Sequence, residues 1–249
     1  MGNRQHHRTV DRVAAILEAV ANSASGLTLT QLAARLDAPV SSVQKLVNGL
    51  AAVGYLDEQE RHFVLGPAPH VLTVRSGRVP VRSVSHESLA ELSAAAGCAA
   101  LLAVQVGDNA VYVDWAGTDE PFDYALSRSL RSALPRTAAG RVLLASLPEA
   151  DRRAVVAQEP DTRTGVDLLA EAAEIRARGY AVVDSGHAME TMAAVAVPVT
   201  ESGRVVAAAA LAAPSEVVAA RLPKLVSLLG EWSSKLTAAR TSPDPASAP

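Results

Sequence analysis

The sequence predicts an α+β protein with two domains: a small helical domain that ends in a β-hairpin, and a larger one with a mainly antiparallel sheet flanked by helices. Three observations predict this. Apolar residues recur with helical spacing in three short segments between residues 9 and 50. Proline and glycine then interrupt residues 67–85, as is typical of a linker. Beyond it, strand-like segments come first, helical segments follow, and further strands precede a helical end.

The composition of the chain excludes several classes of protein. The chain has 249 residues, of which 49% are hydrophobic and 20% charged, as in globular proteins. Its longest apolar run, Val205 to Ala213, is far shorter than the ~20 residues of a membrane-spanning helix. The chain has no leader-like start, and its single cysteine, Cys98, excludes an internal disulfide framework. We therefore expect a cytoplasmic protein without a membrane partner.

The first two helical segments are short and amphipathic. From Thr9 to near Asn22 the apolar face is formed by Val10, Val13, Ile16, Leu17 and Val20. Residues 27–30 predict a short extended piece with an N-cap for a second helix, whose buried face is Leu32, Ala33 and Leu36. Pro39 ends this helix and suits the first turn of a third.

The third helical segment has an apolar stripe and a polar, nearly uncharged flank. The stripe comprises Val43, Leu46, Val47 and Leu50, and the flank comprises Ser41, Ser42, Gln44, Lys45 and Asn48. Hydroxyl and amide side chains suit base edges and phosphates, so the segment predicts a DNA-reading helix in a helix-turn-helix. Short strands at 55–56 and 62–65 predict a β-hairpin wing. The alternative is a three-helix interaction module whose flank faces water.

An ordered series of motifs resembles the isocitrate lyase regulator (IclR) family of bacterial transcription factors. The N-terminal stretches are Thr9–Val13, Leu29–Ala33, Pro39–Leu46, Gly54–Leu56 and Phe63–Gly66. The downstream ones are Leu134 with Thr137–Arg141, Arg178–Val182 with Asp184, Ala196–Val199 and Gly203–Ala208. The resemblance implies a winged helix-turn-helix joined to an effector-binding domain similar to the GAF sensory fold.

The resemblance also implies the division of the chain and its DNA contacts. The expected parts are an arm at 1–8, a DNA-binding domain at 9–66, a linker at 67–85, an effector domain at 86–240 and a disordered tail at 241–249. Pro69, Gly77 and Pro80 should break any helix in the linker. The third helix would lie in the major groove, with double-stranded operator DNA as the partner. The expected contacts are Ser41, Ser42, Gln44, Lys45, Asn48 and Arg12.

Strands and helices of the second domain follow from turn signals and periodicity. A helix containing Leu89 and Leu92 ends before Cys98, and residues 100–106 and 110–115 form a hairpin around Gly107. A further strand is expected near Phe122 to Leu126. The remaining predicted helices span 137–147, 148–158, 166–178 and, together, 215–235, and the remaining strands span 180–184, 192–199 and 204–212.

By the same resemblance, a small organic effector would bind between the sheet and the helix that starts at Thr137. Backbone N–H groups at Ala138 and Ala139 would hold its carboxylate, and Asp184 would line the pocket. Alanines replace polar residues common in the family at Ala194, Ala210 and Ala212. These positions predict either a wider, more apolar cavity walled by Trp115, Tyr112 or Met192, or a cavity partly closed by tight packing.

Catalytic and metal-binding arrangements are weaker hypotheses. The strongest candidate is the stretch Asp184 to His187 with Glu190, yet neighbours in sequence seldom form a functional triad. His187 and Glu190 lack a third metal ligand at suitable spacing. We therefore expect neither an enzyme nor a cofactor, and take Cys98 as an apolar filler. The expected protein is a homodimeric or tetrameric regulator, which the family resemblance implies is a repressor, and the alternative is a sensory or scaffold protein that binds a protein partner.

Overall fold

The computed structural model describes residues 7–117, 131–159, 162–184 and 192–239, without the side chains of 162–164 and 237–239. These residues form two compact units, one holding the described residues up to Val79 and the other those from Pro80 onward. Each unit is considered by itself. No helix among the described residues combines the length and apolar character needed to cross a bilayer.

The first unit combines helices with a three-stranded antiparallel sheet. Its elements are α1 (Arg8–Ala21), β1 (Leu27–Thr28), α2 (Leu29–Arg35), α3 (Val40–Ala52), β2 (Leu56–Gln59), β3 (His62–Leu65) and α4 (Ala68–Ser76). The strand order is β1-β3-β2, so the predicted extended piece before α2 pairs with the second strand of the hairpin. This arrangement confirms the predicted winged helix-turn-helix.

A single apolar cluster holds the helices and sheet of this unit together. Ile16 of α1, Leu32 of α2 and Val47 of α3 are each fully buried, and Phe63 of β3 closes the cluster. Val10 has the spacing of the predicted apolar face of α1 but is 62% exposed. Along α1 the cluster reaches only as far as Val13, so the first turn has no apolar surface to cover it.

Local side-chain and turn chemistry fixes the ends of these elements. Thr28 and Gln31 form a capping box, in which Gln31 N–H donates to Thr28 Oγ1 at 3.3 Å and Thr28 N–H donates to Gln31 Oε1 at 2.8 Å. The wing turns at Glu60 and Arg61, both in the left-handed region at φ 49° and 66°. Because this turn holds only two residues, the strands pair up to Gln59 and β2 is longer than predicted.

The predicted break in the linker occurs at Gly77, one of the three residues expected to cause it, and not at Pro69. Pro69 lies in the first turn of α4, where a missing N–H costs nothing, and it does not interrupt the helix. The helix ends instead at Gly77, whose φ of 56° is left-handed. All residues from Val71 to Pro80 are exposed, and the next helix begins only after Ser85.

The second unit is built on a six-stranded sheet in the order β6-β5-β4-β9-β8-β7, with every described pair antiparallel. Its elements are α5 (His86–Ala96), β4 (Ala99–Val106), β5 (Asn109–Ala116), β6 (Arg131–Ala133), a 3₁₀ turn (Leu134–Arg136), α6 (Ala138–Ser146), α7 (Glu149–Val156), α8 (Thr162–Arg178), β7 (Ala181–Asp184), β8 (Met192–Glu201), β9 (Arg204–Pro214) and α9 (Ser215–Ala239). This layout confirms the predicted α+β class. The strand expected near Phe122 lies outside the described residues.

The two faces of this sheet carry different helices. Leu102, Val195 and Leu211 belong to a cluster that also contains residues of α5 and α9. Trp232 of α9 ties these helices together, since its Nε1–H donates to Ser88 Oγ at 2.9 Å. Side chains alternate between faces along a strand, so the neighbouring residues point to the opposite face, where α6 packs across β4, β8 and β9. That helix is buried at every position from Ala138 to Ala145 except Arg141.

The capping box at Thr28 generates a stability prediction. Thr28→Ala removes the acceptor for Gln31 N–H, and we expect it to lower the free energy of unfolding of the first unit by about 1 kcal/mol. Thr30→Ala is the matched control, because Thr30 is exposed within the same helix and alanine is the better helix former. Urea melts followed by circular dichroism would test this. Equal stabilities of the two variants would contradict a capping role for Thr28.

Candidate functional site

Helix α3 of the first unit presents a polar flank to solvent. Ser41, Lys45 and Asn48 are exposed, and Ser42 and Gln44 are half-buried. The opposite side of the same helix contributes Val43, Val47 and Leu50 to the core, with exposures of 1%, 0% and 8%. Burial of that stripe fixes the rotation of the helix and therefore holds the flank outward.

The start of α3 is open to an anion. Pro39 precedes the helix, and its carbonyl accepts from Ser42 N–H at 2.9 Å and from Val43 N–H at 3.2 Å. The N–H groups of Val40 and Ser41 have no acceptor within the helix, as at any helix start. Both residues are exposed, so the positive end of the helix dipole and two free donors face solvent beside the Ser41 hydroxyl.

Two side-chain amides of the flank are joined to each other. Gln44 Nε2–H donates to Asn48 Oδ1 at 2.9 Å, one helical turn along α3. The other predicted DNA contact, Arg12, lies on α1 and is half-buried. Three acidic side chains are exposed near the wing tip, at Asp57, Glu58 and Glu60. The polar flank of α3 thus carries hydroxyl and amide side chains of the kind that can meet a base edge.

In the second unit, strand register brings most of the predicted effector residues onto one face of the sheet. Ala212 lies opposite Ala194, and Ala210 lies opposite both Ala196 and Leu101. Met192 is two residues from Ala194 and so shares its face. Trp115 lies opposite Leu101, and Tyr112 lies opposite Ala103 beyond a β-bulge. This alanine-rich face, on which α6 packs, is called the alanine face below.

Burial distinguishes the middle of the alanine face from its edge. Ala210 and Ala212 are 1% and 4% exposed, whereas Ala194 and Met192 are half-buried. Trp115 is 36% exposed and stands at the border of the face. An alanine projects only a methyl group, so the strands offer α6 a shallow, apolar surface.

Asp184 does not join these residues, contrary to its predicted place in the pocket. It lies opposite Ala193, which belongs to the α9 face of the sheet. Its carboxylate accepts a hydrogen bond from Ser215 Oγ at 2.8 Å, at the first residue of α9. The reason is the strand period of two, because a shift of one residue moves a side chain to the other face.

The start of α6 combines an N-cap, Thr137, with the half-buried side chain of Tyr112. Thr137 Oγ1 accepts from Gly140 N–H at 3.0 Å, and the side chain of Tyr112 lies beside that of Thr137. Burial raises the pKa of Tyr112 above its ordinary value, and the neighbouring Thr137 side chain opposes that rise. The N–H groups of Ala138 and Ala139 stand at the first turn of α6 and have no acceptor within the helix. The Tyr112–Thr137 link was not predicted from the sequence.

Close packing and ion pairing hold α6 in place. A Cβ on Gly140 would overlap the carbonyl oxygen of Leu134, so the helix approaches the preceding turn more closely than a side chain allows. Arg141 pairs with Glu171 of α8 at 2.8 Å, and its Nε–H donates to the Pro135 carbonyl. Gly140, which lies in the family-like stretch Thr137–Arg141, was the feature of the sequence that could have predicted this close contact.

The far end of α6 is held by two arginines. Arg152 and Arg176 both donate to the Ala145 carbonyl, at 3.1 and 3.2 Å. Burial is the main cause that lowers the pKa of Arg152 below its ordinary value, and the nearby charge of Arg176 adds to it. Cationic donors at a helix C-terminus satisfy unpaired carbonyls and complement the dipole. The helix is therefore held at both ends, and its first N–H groups have no acceptor within the helix.

The alternative chemical sites receive no support from the described part of the chain. The stretch 185–190, which includes His187 and Glu190, lies outside it. Within it, no group of three His, Cys, Asp or Glu residues is placed to hold a metal ion. Cys98 is half-buried against the core of the second unit, and burial raises the pKa of its thiol. A raised pKa disfavours the reactive thiolate.

Together, the winged helix-turn-helix and the antiparallel-sheet domain define the class of two-domain DNA-binding transcriptional regulators. Comparison with known families agrees. Residues 9–60 match the IclR helix-turn-helix domain, and residues 75–238 match the bacterial transcriptional regulator IclR C-terminal domain. The chain belongs to the IclR family of bacterial transcriptional regulators.

Individual relatives are consistent with this membership. The HTH-type transcriptional regulator BhcR of Paracoccus denitrificans is 31% identical over 84% of this chain and 78% of its own length. The probable transcriptional regulator SauR of Cupriavidus necator is 30% identical over 86% of this chain and 88% of its own. An IclR homologue from Microbacterium hydrocarbonoxydans, solved with 4-hydroxybenzoate, has the same fold with a TM-score of 0.70 at 21% identity, over 94% of this chain and 100% of that one.

The contact between Gly140 and Leu134 generates a second stability prediction. Gly140→Ala forces α6 away from the turn before it, and we expect a loss of about 2 kcal/mol or more in the free energy of unfolding of the second unit. Gly230→Ala is the control, since Gly230 is exposed within α9 with no atom near its Cβ position. The free energy of unfolding of the control should rise by about 0.5–1 kcal/mol. Denaturant melts would compare them, and a neutral Gly140→Ala would refute the contact.

Proposed function

We propose that this protein is a ligand-responsive transcriptional regulator that reads operator DNA with the polar flank of α3 and senses a small organic molecule at the alanine face. The observation that supports it most is the build of α3, which buries an apolar stripe and exposes a hydroxyl and amide flank. Such side chains pair with base edges and phosphates. We place the protein in the cytoplasm, where its DNA is, and propose no catalytic activity.

Ser41, Ser42, Gln44, Lys45 and Asn48 are the proposed DNA contacts on α3. Ser41 and the free N–H groups at the helix start suit a phosphate, and Lys45 suits a guanine or a phosphate. Arg12 is proposed as a backbone contact from α1. These residues belong to the proposed DNA-binding domain at 9–66, which the exposed segment 67–85 links to the proposed effector domain at 86–240.

The proposed effector is an apolar or aromatic carboxylate. The alanine face offers methyl groups at Ala194, Ala210 and Ala212 where hydroxyl or thiol groups would favour a smaller, more polar acid. The N–H groups of Ala138 and Ala139 suit its carboxylate, with Thr137, Trp115 and Met192 around it. The homologue solved with 4-hydroxybenzoate supports an effector of this class. Asp184 is not included, because its side chain belongs to the other face.

The proposed mechanism is a population shift in a homodimer or tetramer. Two winged domains must meet two half-sites with a fixed spacing, so an effector that favours one arrangement of the domains changes operator affinity. We propose repression as the default action, with effector binding releasing the operator. The effector must bind one arrangement more tightly than the other for this to work.

DNA reading is tested by the double variant Gln44→Ala, Lys45→Ala. Both side chains lie on the exposed flank, so we expect the variant to keep its fold and lose sequence preference for fragments of its own upstream region. Lys224→Ala is the control, because it removes one exposed positive charge from the second unit. Fluorescence anisotropy over a salt series gives the readout, with affinity falling steeply as salt rises. A double variant that keeps full preference would exclude these residues.

Effector class is tested by thermal shift with the full chain. Aromatic carboxylates such as 4-hydroxybenzoate should raise Tm in a concentration-dependent way, and small hydrophilic keto acids such as glyoxylate should not. The matched variant Ala194→Ser adds a hydroxyl at a half-buried position of the alanine face. We expect it to weaken aromatic binding and improve binding of the hydrophilic acid. Tight glyoxylate binding by the unsubstituted protein would contradict the proposed class.

A further inference from the structure

The hydrogen bond between Gln44 and Asn48 carries an inference about how α3 reads DNA. Gln44 Nε2–H donates to Asn48 Oδ1 at 2.9 Å, and neither side-chain amide makes another hydrogen bond with a residue in the described part of the chain. We propose that the two amides act as one reading unit: Asn48 orients Gln44 for an adenine, and itself reads a hydrogen-bond acceptor on the adjacent base pair. This rests on the proposed function of α3.

The bond to Asn48 leaves part of the Gln44 amide free to contact a base. A glutamine amide has one acceptor oxygen and two N–H donors, and the bond to Asn48 uses one of those donors. The Oε1 atom and the second N–H remain, and they form the pair that accepts from adenine N6 and donates to adenine N7 in the major groove. An unrestrained amide can turn over and exchange these two positions. The bond to Asn48 opposes that turn, so Gln44 keeps one orientation.

The same bond leaves the N–H donors of Asn48 free. Its Oδ1 accepts from Gln44, which leaves the Nδ2 group with two unused N–H donors. Those donors match acceptors on base edges, namely guanine O6 and N7, adenine N7 or thymine O4, and they do not match cytosine N4. Asn48 is exposed, so its free nitrogen is available to a groove.

The two amide heads are also close together compared with the spacing of base pairs. The bonded atoms of the two amides are 2.9 Å apart, and successive base pairs are stacked ~3.4 Å apart along a strand. Hydrogen-bonded amide heads are therefore close enough for each to contact one of two neighbouring base pairs in the same groove. Positions i and i+4 of a helix lie on one side of it, so both heads enter the groove together. The unit therefore specifies a two-base-pair step, with an adenine beside an acceptor-bearing base.

Selection from a pool of duplexes with a randomised centre tests this with the full-length protein and its variants. Asn48→Asp keeps the oxygen that orients Gln44 but replaces the free donors with an acceptor. We expect one position of the selected site to switch toward cytosine while the adenine preference beside it is retained. Asn48→Ala frees Gln44 as well, so preference at both positions should fall by about tenfold or more.

Gln44→Glu is the charge-matched control for Asn48→Asp. Each adds one negative charge to the same flank, so each should weaken non-specific binding alike. With a carboxylate in place of Gln44, the Asn48 amide must turn its nitrogen inward. The Gln44→Glu preference should therefore change at both positions, whereas Asn48→Asp changes only one. Melting curves of each variant report whether the fold is kept.

The outcomes separate this inference from the function on which it rests. A protein that enriches no motif at all overturns DNA reading, and the paired reading with it. A protein that enriches a motif while Asn48→Ala leaves the adenine position intact overturns the paired reading alone. The same holds if Asn48→Asp and Gln44→Glu alter the same positions. Loss at two neighbouring positions with Asn48→Ala and a switch at only one with Asn48→Asp supports it.

Discussion

The second unit depends on the packing of α6 against the alanine face. The helix is buried along almost its whole length, and it packs closely because Gly140 has no side chain and the strands below project methyl groups. Interiors are close-packed, so neither contributor can enlarge without moving the other. The N–H groups of Ala138 and Ala139 lie in the first turn of this packed helix, so the way the core is filled also decides where the candidate effector site has its donors.

In the first unit, one helix, α3, contributes both to the core and to the candidate DNA surface. Val43, Val47 and Leu50 fix the rotation of α3, and this burial decides which side chains face out. A helix fixed in this way presents its amides in a defined direction, which a mobile loop would not. The bond between Gln44 and Asn48 adds a further restraint at the level of single atoms. Stability and recognition are therefore linked through the same few residues.

Differences between the predictions from sequence and the structure have identifiable physical causes. Val10 fits the helical period but lies beyond the end of the core, because periodicity gives a direction and no information about what covers it. Pro69 was expected to interrupt the linker, yet a proline in a first helical turn breaks no hydrogen bond. Asp184 follows the family pattern, but the register of β7 against β8 turns its side chain to the α9 face. Each difference concerns a position whose role depends on a neighbouring element.

By itself the sequence determined the fold class, the order of the helices and strands apart from α4 and β6, the polar flank of α3 and the membership of the family. These features depend on local periodicity, capping residues and an ordered series of motifs, all of which are present within short stretches of chain. Only the tertiary structure decided which predicted effector residues share a face, that Tyr112 lies beside Thr137, and that Arg152 and Arg176 converge on one carbonyl. Those relations join residues distant in sequence, and strand register and helix packing, which bring them together, are properties of the assembled core.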